Sequence, residues 1–400
     1  MCGFCNDPNH SGFNRRDFLK LASLFTAAGA LPLLTQLQQA HAADPDAPLR
    51  IGYLPITDAA PLLVAHHQGL FADLGLKVEK PHMFRSWAQL VEAFLSGGVN
   101  LVHVLAPMAI WSRYGSGATT KVVGWNHING SSLTVAASNG IDRIEDLGGK
   151  TLAIPFWYSI HNVVLQLVLR KHGLEPITDG NPGPRQVRLA VMAPSDMLPG
   201  LATGSIAGYI VAEPFNAAAE LNGIGKVLRF TGDVWKDHAC CVLQMHEADL
   251  ALRPEWSQKV VTALVQAQAW IREHREETVA ILAKDNAAGY TPHSRETLSQ
   301  VLLGNLQEQD TASLIQHPQW QQKRIDFQPY PFPDYTEKLV ELLKQTEVKG
   351  STRFLQDLDP AFVARDLVDD RFVRTAIEQV GGMATFGLAE RYTRTEVIQP

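Results

Sequence analysis

Cysteine is scarce in this chain. Its 400 residues hold four: Cys2 and Cys5 near the start, and the neighbouring pair Cys240 and Cys241. Adjacent cysteines are badly spaced for bridging each other, because disulfide-linked Cα atoms usually lie farther apart, so the chain does not read as disulfide-stapled. Cationic excess is also missing. Thirty-five Lys and Arg against 41 Asp and Glu give a net charge of −6, which excludes the basic footprint expected for nucleic acid or acidic lipid. Beyond residue 42 no apolar run approaches the roughly 20 residues a bilayer span needs. The sequence has no G-x-S-x-G, no glycine-rich phosphate loop and no HExxH, so the usual marks of nucleophile-elbow hydrolases, P-loop enzymes and zincin proteases are missing. No internal repeat and no low-complexity segment follows the first forty residues.

What is present begins with a leader-like stretch over residues 1–42. Asn14-Arg15-Arg16-Asp17-Phe18-Leu19-Lys20 carries twin arginines, Leu21 to Leu34 is almost entirely apolar and small, and Ala40-His41-Ala42 is a small-x-small cleavage pattern. Twin-arginine signals are addresses read by a receptor rather than anchors, so the expectation is export as a soluble periplasmic protein. Cleavage near Ala42 removes a net +1 and leaves the mature chain at about −7. Cys2, Cys5 and His10 resemble a fragment of a metal site, but two thiols and a distant imidazole do not close a tetrahedral shell.

From Leu49 short apolar runs alternate with helical patterns. Leu49–Pro55, Leu76–His82, Asn100–Ala106, Lys121–Trp125 and Ser131–Ala137 read as strands, with helices near Ala59–Phe71 and Trp87–Leu95 and another opening at Pro107. The rhythm restarts with strands Lys150–Pro155, Val187–Ala193 and Ile206–Ala212 around a helix at Ile160–His172 and one opening at Pro194. Two successive cycles predict two doubly wound α/β lobes with parallel sheets covered on both faces. The last third is mostly helical, at Pro254–His274, Glu276–Lys284, Ser294–Leu306 and Asp334–Gln345. It is expected to pack outside the first lobe, with Tyr330-Pro331-Phe332-Pro333 as a rigid connector.

Ligands of open α/β sheets bind beyond the carboxyl ends of the strands. That points to Thr57 and Asp58 after the first strand, Arg85-Ser86-Trp87 after the second and Pro107 after the third. In the second lobe it points to Trp157, Tyr158 and His161, and to Pro194. Helix N-termini there offer unpaired N–H groups to an anion. Each residue also has a plainer role: Thr57 and Asp58 as turn or cap residues, Trp87 as a staple onto its lobe, Trp157 and Tyr158 as core, His161 as a packed histidine. His103, inside a strand, reads as packed.

The ordered series Ile51-Gly52-Tyr53-Leu54-Pro55-Ile56-Thr57-Asp58-Ala59-Ala60-Pro61, Gln68-Gly69-Leu70-Phe71, Ser86-Trp87-Ala88, Leu105-Ala106-Pro107-Met108, Asn129-Gly130 and Ala212-Glu213-Pro214-Phe215-Asn216 resembles the nitrate, bicarbonate and sulfonate binding proteins of ABC transporters. The resemblance implies a periplasmic-binding-protein-like fold of type II. Two crossings would join a discontinuous first lobe (residues 49–136 and 232–400, with the C-terminal helices) to a second (137–231). It implies a monomer that closes over a small solute, in this family an anion, and delivers it to permease and ATPase subunits after passage through the twin-arginine translocase. Trp87 and His161 match the family's pocket tryptophan and histidine. Ser131 stands where nitrate and bicarbonate members carry glutamine. Asp237-His238-Ala239-Cys240-Cys241 lies where they carry a lysine or a glutamate that assists calcium, so a thiol replaces that charge. No cofactor is expected, apart from a ligand-associated ion such as calcium. Two other readings stay open: an enzyme related to thiamine-pyrimidine synthesis, on which Cys240, Cys241, His238 and His161 would form a catalytic or metal constellation, and a solute sensor.

Overall fold

The computed structural model describes residues 47–306, 314–320 and 323–400. Eleven strands fall into two sheets. The first contains β1 (Ile51–Tyr53), β2 (His82–Met83), β3 (Leu101–Leu105), β4 (Thr120–Trp125) and β12 (Cys241–His246), in the order β2-β1-β3-β12-β4. The second contains β6 (Ser131–Ala136), β7 (Thr151–Ile154), β8 (Glu175–Ile177), β9 (Gln186–Val191), β10 (Gly208–Ala212) and β11 (Gly225–Phe230), in the order β11-β6-β10-β7-β9-β8. Between them β5 (Ile128–Asn129) pairs antiparallel with β13 (Ile325–Asp326).

Both sheets are mixed, which corrects the expectation of wholly parallel ones. β12 runs antiparallel to β3 and β4, and β6 antiparallel to β10 and β11. These two strands enter their sheets from a crossing rather than from a covering helix. They therefore escape the crossover geometry that forces parallel neighbours. The chain also changes sheets earlier than the pattern suggested: Ser131–Ala136 pairs in the second sheet, so the turn comes at Asn129-Gly130. Both residues there have left-handed backbones, φ +58° and +79°. A Cβ on Gly130 would meet Ile325 Cδ1 at 3.1 Å and His127 Nδ1 at 3.2 Å, so glycine is required twice over.

Hydrophobic burial accounts for the layers. Most strand residues of the first sheet are inaccessible, and the helix Pro254–Glu273 lays Val260, Val261, Leu264, Val265 and Ile271 inward, the spacing of an amphipathic helix packed on a core. It lies against Ala60–His67 and Arg371–Gln379. The Tyr330–Pro333 stretch is more than a spacer. Tyr330 and Phe332 are buried, Phe332 packs edge-on to Trp125 at 5.7 Å, and Pro333 opens the helix Pro333–Leu343. No described helix is long and apolar enough to cross a membrane.

Candidate functional site

Serine caps aim the two principal side chains. Ser159 Oγ accepts the N–H of Asn162 at 3.1 Å and starts the helix Ile160–Lys171, which sets His161 in its first turn. Ser86 Oγ accepts the Gln89 N–H at 3.3 Å and starts Trp87–Leu95 with Trp87 as its first residue. Such caps satisfy amide groups a helix start leaves unpaired.

His161 Nε2 lies 2.9 Å from Ser131 Oγ and 3.8 Å from Cys240 Sγ, and Ser131 Oγ is 3.8 Å from the same sulfur. Ser131 belongs to β6 and His161 follows β7, whereas Cys240 leads into β12. Side chains from both sheets thus meet at one point. Beside it, Cys241 Sγ donates to Asp58 Oδ2 at 3.2 Å, and His127 Nε2 stands 2.8 Å from that oxygen. The Cys241 backbone nitrogen lies 3.2 Å from His127 Nε2. All of these residues are buried. Consecutive strand residues normally face opposite ways. Here the chain bends at Cys240 before β12 begins, which lets both sulfurs reach one cluster.

Burial drives the charges of this cluster. It pushes the Asp58 carboxyl up to about 6, against the pull of His127. For His127 burial acts downward, but the adjacent Asp58 carboxylate outweighs it and carries the imidazole up to about 10. At neutral pH the two form a buried ion pair. Burial raises the Cys241 thiol well above its ordinary value, and its hydrogen bonding with Cys240 adds to that. Cys240 goes the other way: burial opposes ionisation, yet its interactions with Cys241, His161 and His127 bring it well below its ordinary value. His103 and His238 are driven down by burial to about 3 and about 4, so both are neutral.

The other expected residues have distinct placements. Thr57 N–H and Oγ–H both donate to the Glu213 carbonyl at 3.0 Å, which ties the loop after β1 to the end of β10. Trp87 is 2% exposed and packs on His103 at 5.6 Å between ring centroids, and its indole N–H is buried without a partner. Tyr158 turns away from the cluster, stacks on Trp111 at 6.0 Å and donates its hydroxyl to Ser351 O at 3.3 Å. Trp157 contributes its carbonyl to Asn162 Nδ2 at 2.9 Å. Both aromatics are buried, and Trp111 and Phe354 offer Tyr158 apolar faces to pack on. Pro107 is buried at the start of Ala106–Ile110, whose Ala106 N–H donates to Cys240 O at 2.9 Å. Pro194 is buried at the start of Pro194–Ala202 beyond β9. Arg85 is exposed. Arg15 and Arg16 lie outside the described residues.

Two participants escaped the sequence reading. His127 carried no motif. His103 packs as expected, with Nε2 accepting the Leu54 N–H at 3.0 Å, but its Nδ1 is buried and unpartnered within electrostatic reach of His127 and Cys240. Calcium does not suit the Asp58 cluster: it takes six to eight oxygen ligands, and here two donors are sulfur and one is nitrogen.

The sequence model of the NMT1-like family matches residues 42–284. The nitrate/nitrite binding protein NrtA of Nostoc sp. is 25% identical over 253 residues, 58% of this chain and 56% of that protein; the match thus spans little more than half of the relative. The crystal structure of the periplasmic nitrate-binding protein NrtA from Synechocystis PCC 6803 superposes with a TM-score of 0.71 at 20% identity, covering 88% of this chain and 93% of that one. The ligand-binding component of an ABC-type import system from Staphylococcus aureus, solved with zinc bound, superposes with a TM-score of 0.63 at 24% identity, covering 82% and 98%.

Proposed function

Because the chain belongs to the NMT1-like family and has the periplasmic-binding-protein-like fold, we propose that it is the solute-binding component of an ABC importer. Its solute is a small anion of the nitrate, sulfonate and bicarbonate class. The observation that carries this reading is the meeting of Ser131 and His161 from the second sheet with Cys240 from the first. A solute touching both sides stabilises the closed arrangement over an open one by its differential affinity. The closed form is what permease and ATPase subunits engage, and no covalent step is asked of the protein.

His161, Ser131 and Trp87 form the solute site, with Thr57 and Asp58 supporting it from the first half (residues 49–129 and 232–400 as one lobe, with 130–231 as the other). Support for an anion comes from the imidazole and hydroxyl donors at this point. A thermal-shift series with nitrate, nitrite, bicarbonate, cyanate, taurine and alkanesulfonates tests the class. The true solute at 100 times its dissociation constant adds about 2.7 kcal/mol of apparent stability. A flat response to the whole series removes the anion reading.

Delivery to the periplasm follows the twin-arginine route in this proposal, supported by Arg15-Arg16 within the leader pattern. Exchanging both for lysine is expected to hold the precursor in the cytoplasm, read by fractionation and immunoblot. Normal export of that variant refutes the route.

A further inference from the structure

Asp58, His127, Cys240 and Cys241 each offer a ligand atom, and these atoms all lie within 4.8 Å of one another. We propose that these four side chains form a binding site for a zinc-class divalent ion. The pattern of donors selects the metal. Two thiols and an imidazole are ligands of borderline and soft ions, and magnesium and calcium are excluded by their preference for oxygen. The carboxylate argues for zinc over cuprous ion, which favours an all-soft shell. Four ligands match the tetrahedral number of zinc, whose bonds of about 2.0–2.3 Å set ligand atoms roughly 3.3–3.8 Å apart, so the 2.8 Å and 3.2 Å contacts at Asp58 Oδ2 open by about half an ångström to admit the ion.

The second observation concerns satisfaction. Asp58 Oδ1 and His127 Nδ1 are buried without a hydrogen-bond partner, although the side chains of both residues are wholly inaccessible. Leaving the Asp58 Oδ1 acceptor unmet in a buried site is costly unless a ligand meets it. A bound cation supplies what the cluster lacks. Binding releases the His127 Nε2 proton and the thiol protons to solvent as metal–nitrogen and metal–sulfur bonds form, with no change of oxidation state.

All four ligands come from the first half of the fold: the loop after β1, the loop after β4 and the entry to β12. The second half reaches them through Ser131 and His161 on Cys240. The ion is therefore loaded without closure, which separates this proposal from the solute reading: removing His161 leaves metal binding intact while solute capture fails.

The test titrates zinc into the reduced, metal-stripped protein against a chromophoric chelator. One equivalent is expected, and cobalt in its place should give thiolate-to-metal absorption in the near ultraviolet. Cys241→Ser and Asp58→Asn should each weaken zinc by about 100-fold or more, and His161→Ala by less than about threefold. Circular dichroism checks that the variants fold, and the cobalt spectrum of the unaltered protein decides the matter if they do not. Binding of well under one equivalent, or a cobalt adduct without a thiolate band, overturns the proposal. So does unchanged affinity in folded Cys241→Ser and Asp58→Asn.

Discussion

His161→Ala should weaken capture of whichever anion of the thermal-shift series the native protein takes up by roughly 10- to 150-fold. That range corresponds to the 1.5–3 kcal/mol of a hydrogen bond to a charged group. The loss follows from position. His161 is held in the first turn of its helix by the Ser159 cap and touches Ser131 on its own sheet and Cys240 on the other. A solute that replaces these contacts would be gripped from both sides, and alanine removes one grip. The ring is also buried, so its removal costs stability, of the order of 1–3 kcal/mol. Calorimetry should therefore be run well below the melting transition. His161→Gln, which keeps a donor near the same place, is expected to recover part of the affinity but not all of it. Equal affinity in the native protein and both variants would take His161 out of the site.

The same geometry explains which parts of this molecule could be read from its sequence. Strand and helix alternation reports burial and period, and those were sufficient for β1, β3, β7 and β10 and for the helices that begin at Trp87, Ile160 and Pro194. Direction is a different matter. Nothing in Ser131–Ala136 or Cys241–His246 records that these strands arrive by a crossing and so run against their neighbours. Convergence is harder still. Asp58 and Cys241 touch across a sequence separation of 183, and Ser131 and Cys240 across 109. Those residues could be singled out because each sits at a strand end with an unusual side chain. His127 sits at a strand end too, between Asn126 and Ile128, but a single histidine in a loop carries no signal until Asp58 is placed beside it. Trp157 and Tyr158 were ambiguous for a different reason. Aromatics in a loop suit a cleft or a packed interface equally well, and no local pattern reveals that Trp111 stacks on Tyr158.

Arg324→Met should destabilise the fold by about 3–5 kcal/mol, the range for stripping one partner from a buried ion pair. Arg324 is 1% exposed and places one guanidinium nitrogen 2.8 Å from Glu213 Oε1 and the other 2.5 Å from Glu220 Oε2. Without it two buried carboxylates face each other uncompensated. Burial and the charge of Glu213 already act to raise Glu220 despite the arginine. In the variant Glu220 should titrate still further above its unfolded value. An acid raised in the folded state favours folding at low pH, and that gain is lost as pH climbs. The deficit in urea unfolding should therefore be small near pH 4 and grow toward pH 7. Adding Glu213→Gln and Glu220→Gln should restore much of the stability, because the uncompensated charge goes with them. The consequence reaches the site as well, since the Glu213 carbonyl takes both hydrogen bonds from Thr57, next to Asp58. A variant that keeps stability within about 1 kcal/mol of the native protein at neutral pH would mean that water or side-chain rearrangement neutralises these carboxylates, and that the Glu213 anchor does not depend on Arg324.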